Sequence, residues 1–253
     1  MIDEAAGFDA TYAAIAHSSV YRAAAHELTK PLPTWVVPRS SVTAEDAYRF
    51  VAIPMDAGET ILDLGCGLGG PGMWIAHCQG ARLIGIDRSP AGITAARELA
   101  ATLRLPSPSE FRVASGEATG LPGASVAQAI SINAIMFIPA AAVALEMARV
   151  LRPRGFFAFI ATEWSCDEDP PLTTIERDYQ PILEAAGFRV HDRMQLDAQR
   201  GLPLFRALLD REDALVAEVG EAAQALLAEA RAEIAAATQP PRTRHVFYIA
   251  RRP

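Results

Sequence analysis

Lysine is almost missing from this chain: Lys30 stands alone against plentiful arginine. Two chemistries go with it. No lysine follows the glycines, as a phosphate-cradling P-loop requires, and no Tyr-x-x-x-Lys pair is available to a reductase. Cysteine is also sparse. Cys66, Cys78 and Cys166 make no C-x-x-C pair, which excludes a disulfide framework and a cysteine zinc site and points to reduced thiols in the cytoplasm. No cluster of His, Cys and acids has metal-ligand spacing, so no metal is expected. Basic residues occur at most in short pairs and the net charge is −7, which argues against a nucleic-acid partner. Apolar runs stop short of membrane-spanning length and no charged leader precedes one, so no membrane association is expected. The alanine richness and the arginine bias suggest a bacterial source.

What is present is an α/β pattern with an ample apolar complement, 51% of 253 residues, enough for one domain and a modest cap. Its centre is Ile61 to Ala76, ILDLGCGLGGPGMWIA. A buried strand runs into four closely spaced glycines and then into an apolar helix. Glycine permits the positive φ of a tight strand-to-helix turn and leaves no Cβ to hold a ligand off the backbone. The helix starting near Gly70 or Pro71 offers free N–H groups and a positive dipole end to an anionic group. Asp63 sits two residues before Gly65, where an acid can fix the loop or meet an ammonium. A second strand, Arg82 to Ile86, ends at Asp87, where a carboxylate suits a ribose diol.

Residues 1–30 have helical spacing, with Tyr12, Ile15, Val20, Tyr21 and Leu28 as contacts, and prolines at 31, 33 and 38 break the run. A helix over Ala44 to Val51 is capped by Thr43. Residues 1–51 are expected to form a helical lid, and 52–253 the core. Further strands are read at Phe111 to Ala114, Val126 to Ile132, Phe156 to Ala161, Phe188 to Met194 and Arg244 to Ala250. Helices are read at Ser89 to Leu103, Ala140 to Leu151 and Thr173 to Ala186. Strands alternating with helices predict a doubly wound, mostly parallel sheet whose loops gather at one edge. An insertion at 197–241, helical from Leu202 to Ala237 and broken near Gly220, is either an extra cap or a homodimer surface.

In order along Ala52 to Thr162, the segments LDLGCGLGG, IGID, VASGEATGLP and EMARVLRPRGFF resemble the class I S-adenosylmethionine-dependent methyltransferases, in their bacterial small-molecule, natural-product branch. The resemblance implies a Rossmann-like, seven-stranded fold with its last strand inserted antiparallel, S-adenosyl-L-methionine as cofactor, and a small-molecule substrate. It also implies roles. Gly65, Gly67 and Gly69 approach the methionine end with Asp63; Asp87 holds the ribose and Arg88 lies against adenine. Glu117 and Ala118 stand where the family has Asp-Ala against the adenine edge, and Asn133 faces the cofactor.

One departure concerns catalysis. Resembling enzymes that methylate hydroxyls or carbons often carry His in the loop after the fourth strand, but here the run is Ile135-Met136-Phe137-Ile138. His17 and Tyr21, one helical turn apart on the expected lid, and Glu163 after the fifth strand become the catalytic candidates, with Trp164 as a pocket wall. A sulfonium methyl needs chiefly a nucleophile held about 3–3.5 Å away in a dry site, so O, N, S and C acceptors all stay open. Two other readings stand beside this one. The same glycines serve an NAD-dependent oxidoreductase, and a fold that keeps the cofactor without methyl transfer serves a cyclase or a partner-binding protein.

Overall fold

A computed structural model describes residues 4–105, 108–172 and 174–253. Seven strands form one sheet: β1 (Thr60–Leu64), β2 (Arg82–Asp87), β3 (Ser109–Val113), β4 (Val126–Ile132), β5 (Leu151–Trp164), β6 (Arg189–Gln195) and β7 (Thr243–Arg251). Their order is β3-β2-β1-β4-β5-β7-β6. The first five pair in parallel, and β7 runs antiparallel between β5 and β6. This is the Rossmann-like, doubly wound fold that the segment order predicts. The chain steps outward from β1 through β2 to β3 and then crosses back to β4 on the other side of β1, and this reversal opens a cleft beyond the carboxyl end of β1.

Central strands are apolar on both faces because both are covered. Helices α3 (Ala44–Val51), α4 (Gly70–Gln79) and α5 (Pro90–Leu103) cover one face through Phe50, Met73, Trp74, Ile93 and Ala96. Helices α6 (Ala140–Val150) and α7 (Gln180–Ala185) cover the other through Val143, Met147 and Leu183. Thr43 caps α3 as its sequence predicts, and Asp46 completes a capping box with it.

A third core joins segments far apart in the chain. Helices α1 (Glu4–Ile15) and α2 (Ser19–Thr29) pack against α8 (Leu202–Leu209), α9 (Glu212–Val219) and α10 (Ala222–Ala236) through Tyr12, Ile15, Tyr21, Leu28, Phe205, Leu208 and Leu227. The insertion thus buries its apolar face within its own chain, against the N-terminal helices.

Several boundaries differ from expectation. The first helical run is two helices, because Ser18 accepts from the Tyr21 N–H and caps a fresh start. Strand β5 begins at Leu151, with Arg154 in a left-handed turn, so the helix before it ends at Val150. The helix expected from Thr173 starts at Gln180; Thr173 lies outside the described residues. The segment before α7 is tied down instead by side chain to backbone bonds, Thr174 Oγ1 to the Met136 carbonyl at 2.6 Å and Arg177 to the Glu168 carbonyl at 2.8 Å. The insertion has three helices, with a break at Asp210 and Arg211 besides the one at Gly220. Among the described residues no helix is long and apolar enough to cross a membrane.

Candidate active site

Beyond β1 the chain turns at Gly65, whose φ of 73° suits glycine, and a Cβ there would lie 2.2 Å from the Ala134 methyl. The N–H groups of Gly65 and Cys66 both donate to the Ile86 carbonyl, at 2.8 and 3.0 Å, which ties the loop to the end of β2. Helix α4 then starts at Gly70. Gly72 in its first turn lets the Asp63 carboxylate pass: a Cβ there would meet Oδ2 at 2.1 Å.

Two carboxylates converge on this loop. Asp63 is buried with no protein donor on its oxygens among the described residues. Burial, and then the charge of Asp87, push it up to about 7. Asp87 accepts from Gly67 N–H at 2.8 Å and Ser89 N–H at 2.9 Å, so burial raises it while these donors pull it back.

Both acids line a cavity of about 890 Å³ above the strand ends. Gly65, Gly67, Arg88 and Asn133 line it with them. Asn133 adopts a φ of 54°, which Asn tolerates, and its buried Oδ1 has no partner among the described residues. Gly69 turns the chain into α4 against Ala96 and Phe111, outside the cavity wall. Glu117 and Ala118 are exposed and follow Gly116, which does line it.

The catalytic candidates need correction, for none of the three lines the cavity. His17 projects outward, 79% exposed, 3.4 Å from Glu98. Tyr21 points into the third core, its hydroxyl donating to the Pro38 carbonyl at 3.2 Å and pushed up to about 12 by burial. Glu163 lies on the opposite face of β5 from cavity-lining Thr162, as strand alternation demands. There it is fully buried, bound to Arg193 at 2.8 Å, Arg244 at 3.0 Å and the Tyr248 hydroxyl. Trp164 is no wall either; its indole N–H donates to the Glu168 carbonyl at 2.5 Å.

Other residues close the cavity. Helix α1 spans it: Phe8 meets Phe137 edge-on with centroids 4.9 Å apart, and Tyr12 covers Gly67 so closely that a Cβ there would lie 2.8 Å from its hydroxyl. Asp9 accepts from Ser89 Oγ at 2.5 Å and Ala91 N–H at 2.9 Å at the start of α5, which lowers its pKa. On the far side stand Thr162, His245, Leu202 and Phe205, with Arg39 paired to Glu229 through two bonds of 3.2 and 2.7 Å. His245 places Nδ1 3.4 Å from Thr162 Oγ1. Burial first, then Arg200, push its imidazole down to about 4. These residues carry no local motif. An isolated His on a last strand and a Tyr on an evenly apolar helix look ordinary until the chain is folded.

The fold and the place of this cleft beyond the strand ends are those of a Rossmann-like α/β protein. Residues 61–155 match the family described as methyltransferase domain. Those residues run from β1 to the start of β5, so the likeness to methyltransferase domains takes in the glycine turn and both carboxylates of the cleft. Sterol 24-C-methyltransferase of Pneumocystis carinii is 32% identical over 136 residues, 52% of this chain and 36% of that enzyme, so the match spans little over a third of the relative. O-methyltransferase resE of Aspergillus sclerotiorum is 28% identical over 209 residues, covering 74% of this chain and 78% of it. The solved [4+2]-cyclase SpnF shares the fold at a TM-score of 0.70, with 20% identity over 85% of this chain and 84% of that one.

Proposed function

We propose that the protein transfers the methyl group of S-adenosylmethionine to a nucleophile on a small, largely apolar metabolite. The observation that carries this reading is the meeting of Asp63 and Asp87 on one cavity large enough for a nucleoside and a second small molecule together. When bound, the cofactor supplies an electrophilic methyl on a positively charged sulfur.

The residues present fit that group. Asp63, lacking a protein donor, is suited to an ammonium, and Asp87, already oriented by two backbone N–H groups, to a ribose diol. Gly65 and Gly67 give close backbone approach, Asn133 offers a free acceptor, and Arg88 lies alongside. Glu117 and Ala118, at the turn beside Gly116, would have to move inward to touch an adenine. Phe8, Tyr12 and Phe137 exclude water, which strengthens every polar contact inside. Met136, Phe137, Leu202 and Phe205 supply apolar wall for the acceptor.

Calorimetry with S-adenosylhomocysteine and NADH, paired with transfer assays using methyl-labelled S-adenosylmethionine, tests the reading. Binding of the homocysteine product and label transfer, both lost in Asp87→Ala, are expected. Tight NADH binding without S-adenosylhomocysteine binding would overturn it in favour of an oxidoreductase. Binding without transfer to any nucleophile would leave only a cofactor-holding protein.

A further inference from the structure

The loop after β4 carries no base, yet the cavity presents one elsewhere. Strands β5 and β7 pair antiparallel with Thr162 directly opposite His245, and both side chains line the cavity. Nδ1 lies 3.4 Å from Thr162 Oγ1, and no other side-chain bond engages the ring among the described residues. The His245 carbonyl accepts from Leu196 N–H at 2.8 Å, which fixes the strand at this residue.

We propose that His245 receives the proton of the acceptor's hydroxyl group, that Thr162 holds its ring, and that the acceptor is accordingly an alcohol or phenol. This rests on the methyl-transfer reading above. Donation from Nδ1–H to Thr162 Oγ1 leaves the Nε2 lone pair for the ligand. As Nε2 takes the proton, the acceptor oxygen forms its bond to the methyl carbon and the carbon–sulfur pair passes to sulfur. The products are a methyl ether, S-adenosylhomocysteine and an imidazolium that returns its proton to water.

The other cavity carboxylates are less suited. Glu229 is tied to Arg39, and Asp197 accepts from Gln199 N–H at 2.9 Å. Asp63 and Asp87 belong to the cofactor half, and Glu233 is exposed on α10. The charged groups facing His245 are Arg200, ahead of α8, and Asp46 on α3; Arg200 disfavours and Asp46 favours its protonated form. With burial added, the ring stays neutral at neutral pH and keeps its lone pair.

The test uses the full chain, methyl-¹³C S-adenosylmethionine and a panel of phenols, aliphatic alcohols, amines and thiols, with NMR assigning the atom methylated. Label on oxygen is expected. His245→Asn should lower kcat/KM by about 10²–10⁴-fold, the usual worth of a general base, and leave S-adenosylhomocysteine affinity unchanged by calorimetry. Thr162→Val should lose activity in part and Thr162→Ser recover it. In the free protein, the His245 ring resonances should keep their neutral-form shifts down to about pH 5, well below an ordinary histidine. Label on nitrogen, sulfur or carbon, or full activity in His245→Asn, overturns this proposal alone. No label in any arm, with S-adenosylhomocysteine bound, overturns the methyl-transfer reading and this one together.

Discussion

Asp9 on α1 and Ser89 at the start of α5 share a hydrogen bond of 2.5 Å that fastens the N-terminal helix to the loop carrying Asp87. The same carboxylate takes the Ala91 N–H, so it serves as a helix cap supplied from eighty residues away. Asp9→Ala should cost about 1 kcal/mol, as the loss of a capping acceptor does. It should also weaken S-adenosylhomocysteine binding, since α1 would no longer hold Tyr12 and Phe8 over the cleft. Thermal melts and calorimetry check both. The Asp9 pKa is lowered in the fold, so its contribution is present above the ordinary carboxylate range and disappears as pH falls through it.

Asp63 has the opposite sign. Its folded pKa, about 7, lies above the unfolded 3.8, so the folded state binds the extra proton and this residue's contribution falls as pH rises from about 4 to about 7. Asp63→Asn should flatten that stretch of the stability curve. Comparing the two proteins also removes His245, whose lowered pKa works the other way below about 6.5. A ligand ammonium should drive the proton off Asp63. Calorimetric titration with S-adenosylhomocysteine at pH 6, in two buffers of different ionisation enthalpy, should show proton release that vanishes near pH 8.

Gly72→Ala places a methyl 2.1 Å from Asp63 Oδ2 and 3.2 Å from its Cβ, so the carboxylate or the first turn of α4 must shift. Overpacking of this kind costs about 1–3 kcal/mol. The larger effect should be on binding, because the carboxylate is displaced from the cavity. A variant that melts close to wild type and binds S-adenosylhomocysteine equally well would contradict the contact.

Glu163 is held by two arginines and a tyrosine beneath the sheet. Removing it takes the shared carboxylate from Arg193 and Arg244, which are each about a third exposed, and Arg193 keeps Asp178 at 3.9 Å, so the lost charged hydrogen bonds cost about 1.5–3 kcal/mol. Glu163→Ala should therefore unfold at markedly lower denaturant. Glu163→Gln, where it folds, should bind S-adenosylhomocysteine normally. His17→Ala, at an exposed position, should alter neither stability nor turnover.

The parts of the site legible in the sequence are those built from consecutive residues. The strand-glycine-helix turn and the acid ending β2 are local grammar, and alternating elements force their loops onto one edge. What escaped depends on which way a side chain faces. Thr162 and Glu163 are neighbours, and only the strand's pleat decides that the first sees the cavity and the second the buried charge cluster. Helix α1 is apolar or small nearly all round, so no stripe marks Tyr12 as the residue facing the ligand and Tyr21, on the next helix, as core. His245 gains meaning only from antiparallel pairing with a residue 83 positions earlier.

The third core has a consequence for how the chain comes into being. Helices α1 and α2 leave the ribosome ahead of the sheet, yet the surfaces they need for burial, on α8 to α10, emerge only after some two hundred further residues. Strands β1 to β5 can assemble meanwhile, while these helices wait with Tyr12, Ile15 and Leu28 uncovered. Cleft closure therefore waits on α8 to α10, and until they emerge α1 and α2 are the helices of this domain most open to proteolysis.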